Sequence, residues 1–65
     1  MNWEQVDGNW EQIKGQLRNK WGKLTNDDLE SAAGDRQQLV GKLQERYGDA
    51  KEQAQQKVDE FIASL

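Results

Sequence analysis

Apolar residues are sparse in this chain, and they recur every three or four positions. Trp10, Ile13, Leu17, Trp21 and Leu24 form the first such series. At about 100° per residue they fall within roughly 80° of a helical wheel, a narrow stripe meant for one core. The spacing predicts a helix over 10–21, N-capped by Asn9 with Gln12 as capping-box partner, and stopped by a left-handed Gly22. Leu24, beyond that stop, folds back over the last turn. A short second helix is predicted over 26–33. Thr25 caps it, Asp27, Asp28 and Glu30 sit near its positive end, and its buried face is Leu29, Ala32 and Ala33. Gly34 closes it. A third helix is predicted over 36–47, with Asp35 and Gln38 at its start, Leu39, Val40, Leu43 and Tyr47 inward, and Gly48 at its end. The fourth starts after Asp49, with Glu52 as capping-box partner, and runs to about 64. Its stripe is Ala50, Ala54, Val58, Phe61 and Leu65, widened by Ile62.

Ahead of these helices, Asn2-Trp3-Glu4-Gln5-Val6 is echoed seven residues later by Asn9-Trp10-Glu11-Gln12-Ile13. Asp7-Gly8 between the copies is a turn signal. Residues 1–8 are therefore expected to be a frayed or loosely docked segment, with Trp3 or Val6 its points of contact with the body, and residues 9–65 a single helical domain.

A longer repeat organises that domain. Residues 12–22 return as 38–48: Gln12 as Gln38, Gly15 as Gly41, Leu17 as Leu43, Gly22 as Gly48, with Trp21 matched by Tyr47. The repeat groups the helices as two hairpins, about 9–34 and 35–65. A single hairpin buries one side only, so the two must pack together. The expected fold is all-α: four short helices as two helical hairpins packed at a large angle.

Composition narrows the functions open to such a fold. The 65 residues carry 12 acidic and 9 basic side chains, a net charge of −3, with no Cys, His or Pro. Disulfides, thiolate metal sites and imidazole chemistry are thereby excluded. Mean hydropathy is −1.15 and apolar residues make up 34%, close to the border where burial barely offsets chain entropy. No apolar run approaches the roughly 20 residues of a membrane span, and no secretory leader is visible. The chain reads as a cytoplasmic monomer.

The series Gly8-Asn9-Trp10, Trp21-Gly22-Lys23-Leu24-Thr25-Asn26-Asp27-Asp28-Leu29 and Gly41-Lys42-Leu43-Gln44-Glu45-Arg46-Tyr47-Gly48 resembles the CsbD-like family of small bacterial proteins over about residues 7–61. Phe61 stands near where relatives often have Trp. The resemblance implies two orthogonally packed hairpins in a SAM-domain-like bundle. It also implies a role in general stress responses. It supplies no catalytic, cofactor or metal residues.

The residues themselves offer few sites. Without Cys or His, no nucleophile–base pair assembles, and no phosphate loop or zinc pattern is present. Asp27, Asp28 and Glu30 lack calcium-loop spacing. The aromatic residues lie on the apolar stripes, which makes them core rather than a base-stacking platform, with Trp3 the one expected to be exposed. Lys14, Arg18, Lys42 and Arg46 suggest a phosphate-binding surface, but they scatter around their helices in an acidic protein, which disfavours nucleic acid. Gly15 and Gly41 lie mid-helix, where each costs about 1 kcal/mol relative to Ala. These six residues form the candidate partner surface. The leading expectation is a non-enzymatic, hydrophilic stress protein that protects during osmotic or other stress. The alternative is a small helical interaction domain that binds a protein or nucleic acid through the first and third helices.

Overall fold

A computed structural model describes residues 2–65. The described residues form five helices: α1 (Trp3–Gly8), α2 (Trp10–Lys20), α3 (Asn26–Ala32), α4 (Arg36–Tyr47) and α5 (Lys51–Ala63). There is no strand among the described residues. The all-α expectation holds, and the count of four is corrected to five.

The added helix is the segment expected to fray. Asn2 and Gln5 form a reciprocal capping box: the Gln5 N–H donates to Asn2 Oδ1 at 2.9 Å and the Asn2 N–H to Gln5 Oε1 at 3.1 Å. Val6 on this helix is fully buried. Gly8 does not break it; the chain kinks one residue later, at Asn9 (φ −116, ψ 24). Asn9 is also the residue before α2, but its side chain does not cap that helix. Its Nδ2 turns back to donate to the Gln5 carbonyl.

The remaining elements follow the predicted signals closely, with local corrections. In α3 the Thr25–Asp28 capping box forms in both directions at 3.1 Å. Asp35 accepts from the Gln38 N–H to start α4, and Gly48 ends it at φ 72. Gly22 does not adopt a left-handed conformation; α2 is capped by Trp21 at φ −120, ψ 84. At the end of α3, Ala33 takes the left-handed cap (φ 47) before Gly34 (φ 82), so Ala33 is exposed rather than buried. The fifth helix is entered through Ala50, and the Glu52 capping box does not form. Asp49 instead accepts from Lys57 at 2.9 Å.

Val6, Ile13, Leu17, Trp21, Leu24, Leu29, Ala32, Leu39, Val40, Leu43, Ala54, Val58 and Ile62 form one core. Trp3 packs against it with Trp10, Tyr47 and Phe61, so Trp3 is not the exposed aromatic expected. Leu65 is the exposed large apolar residue, because α5 turns Ile62 inward in its place. Backbones pack most closely between chain neighbours: α1 on α2, α3 on α4, and α4 on α5. Between α2 and α3 the link is made by side chains, with Trp10 Nε1 donating to the Leu29 carbonyl at 2.9 Å.

Candidate functional site

Of the cations singled out on α2 and α4, Lys14, Lys42 and Arg46 sit in two ionic groups. On α2, the Lys14 ammonium lies 3.1 Å from Glu30 on α3 and 3.3 Å from Glu11. Its pKa is raised by the hydrogen bond to Glu30, then by that to Glu11. Arg18 is exposed and has no ion pair among the described residues. On α4, Arg46 grips Asp28 with both arms of its guanidinium, Nε to Oδ2 at 2.8 Å and Nη2 to Oδ1 at 3.0 Å. Lys42 stands 3.9 Å from the same carboxylate and 3.8 Å from Glu45.

Asp28 is the centre of the second group. It is the buried charged residue of the fold, 4% exposed. The Arg46 hydrogen bond, aided by the Thr25 backbone N–H, holds its carboxyl well below the usual carboxylate range. A buried carboxylate needs such partners, and a two-armed guanidinium is the best matched of them. Beside it, the Lys23 N–H donates to the Tyr47 hydroxyl at 3.0 Å, and the Lys23 ammonium lies 5.2 Å from the Tyr47 ring centre. The stretch from Trp21 to Leu29 and the stretch from Gly41 to Gly48 therefore close on each other as one clamp. Sequence reading missed this, because it took Asp28 for a helix-end charge and Arg46 for a surface cation. The opposite charges on the two motifs were the available signal.

The two mid-helix glycines are placed differently from the clamp. Gly15 is exposed and Gly41 half-buried, and a Cβ added at either would meet nothing within 4 Å. The glycine under close approach is Gly34, where a Cβ would lie 2.9 Å from the Asp7 Cα.

Two clefts stand out on the surface of the described residues. One of about 290 Å³ lies between α4 and α5 and is lined largely by amides, Gln37, Gln44 and Gln55, with Val40 and Lys51. The other, of about 370 Å³, lies between α1 and the α3–α4 turn. Among the described residues no three acidic side chains gather in a metal-binding group. No helix among the described residues is long and apolar enough to cross a membrane.

A family model described as CsbD-like matches residues 4–56, which include most of α1 and both halves of the clamp. No curated protein and no solved structure matches the chain.

Proposed function

The chain belongs to the CsbD-like family, and from that premise we propose that it is a non-enzymatic general stress-response protein that acts by protection in the cytoplasm. The observation that carries this reading is the chemistry of its surface. The core is closed, and among large apolar side chains Leu65 is the exposed one. Apart from the partly covered rings of Trp3, Trp10, Tyr47 and Phe61, the surface offers mainly charged and amide groups that hold water and contact other proteins weakly. Ion pairs such as Lys14–Glu30 and Arg36–Asp59 set part of the cations against the chain's own acids, and the net charge of −3 leaves no basic excess. A nucleic-acid surface has correspondingly less support, because Lys14, Lys42 and Arg46 each face a carboxylate of this chain. The finer arrangement implied by the resemblance, two hairpins crossing at a large angle as in SAM domains, belongs to the same reading.

The test is protection of a labile enzyme through drying or heating. At equal mass this protein should preserve more activity than an inert protein of similar size. Equal survival in the two samples removes the protective function.

A further inference from the structure

The first helix is attached to the body in an unusual way. Among the described residues, no ion pair or hydrogen bond joins residues 3–8 to α3, α4 or α5. The segment is held by apolar burial of Val6, by partial burial of Trp3, and by the fit of Asp7 against Gly34. A six-residue helix held this way is a plug in a groove.

The hinge behind the plug is a single residue. Only Asn9 departs from helical geometry between α1 and α2. The first-turn N–H groups of α2 receive no side-chain cap. If Asn9 became helical, those groups would find the carbonyls of residues 6–8, and α1 and α2 would merge into one helix. The seven-residue echo makes the merged helix coherent. On a straight helix Trp3 and Val6 fall in the same arc, of roughly 80°, as Trp10, Ile13, Leu17 and Trp21. Straightening carries Trp3 and Val6 away from their own body and leaves their groove empty. A second copy in the same state presents the segment that fits that groove.

We propose that α1 is exchanged between two copies of this chain, giving a dimer in which α1 and α2 run as one helix and each α1 fills the groove of the other copy. The packing that opening breaks is rebuilt in the partner, so the equilibrium is set by protein concentration and by the hinge. Stress that concentrates the cell contents shifts the population towards the dimer. This inference does not depend on the protective reading.

Cross-linking tests it directly, because the chain has no native cysteine. Glu4 and Ala33 are exposed and line the cleft between α1 and the α3–α4 turn. Chains carrying Glu4→Cys are mixed with chains carrying Ala33→Cys, refolded together at high concentration, and treated with a bis-maleimide. Exchange gives a cross-linked pair of unlike chains. The doubly substituted chain, when dilute, links to itself. Asn9→Ala favours the straight hinge in both chains and should raise the dimerisation constant roughly tenfold or more. Glu11→Pro is tolerated in the first turn of α2 but not inside a merged helix. It should lower the constant more than 100-fold, with circular dichroism still reporting a folded monomer. Absence of the unlike-chain product, or a dimer that ignores both hinge variants, overturns the proposal.

Discussion

Gly15→Ala and Gly41→Ala should each stabilise the protein. Both positions lie inside long helices, at ordinary helical φ, with nothing within 4 Å of a new Cβ. The gain is therefore the helix-propensity difference alone, about 0.8–1 kcal/mol each. The two sites are on different helices and share no partner, so the double variant should gain about 2 kcal/mol. A domain of this size has a stability of roughly 3–10 kcal/mol in total, so the effect is large. It should raise Tm by about 8–16 °C. Gly48→Ala provides the opposite control: its left-handed φ of 72 makes any Cβ unfavourable by about 1–2 kcal/mol. Gly34→Ala should be worse, since φ is 82 and the new atom would strike the Asp7 main chain. Urea unfolding followed by tryptophan fluorescence and far-ultraviolet circular dichroism measures all four. The reasoning fails if Gly15→Ala or Gly41→Ala is neutral or destabilising with an unchanged urea slope. A stabilised double variant that no longer protects enzymes would show instead that softness in α2 and α4 is part of the function.

Two further outcomes follow from the clamp and from the α2–α3 contact. The Asp28 carboxyl is depressed in the folded state by Arg46, so its contribution is fully present above the unfolded value near ~3.9 and is lost as pH falls through the folded value. The urea midpoint should stay level from about pH 7 to 5 and drop below about 4. Asp28→Asn should lower the plateau and flatten the drop, leaving the smaller fall due to Asp59, which Arg36 shifts in the same direction. Trp10→Phe keeps an aromatic ring but removes the donor to the Leu29 carbonyl. A loss of about 1–2 kcal/mol is expected, and circular dichroism melts would measure it.

The parts of the fold legible in the sequence are those fixed within one turn of chain. The start and end of α4 follow from Asp35 and Gly48 alone, and both behave as their local chemistry dictates. The failures are competitions between local signals. Asp7-Gly8 has the composition of a turn, yet the Asn2–Gln5 capping box and the burial of Val6 prevail. Asn9 is a good cap for α2 but commits its amide to the helix before it. The candidate surface fares differently. The helical spacing already turns Gly15 and Gly41 away from the apolar stripes, but only the three-dimensional structure reveals that nothing packs on them. The Asp28–Arg46 pair joins residues 18 apart across two helices, and no periodicity encodes such a distance. Grouping the helices as hairpins also hides this pair, because α3 packs closely on α4.

The close packing of each helix on its chain neighbour also fixes how quickly the structure can be rebuilt. Contacts between adjacent helices close short loops, and domains dominated by such contacts fold in microseconds to milliseconds. With no proline in the sequence, no slow imide isomerisation delays the chain. Without cysteine, no wrong disulfide can trap it. A chain of this design has no need to withstand a denaturing episode intact; it can unfold and be native again almost as soon as folding conditions return.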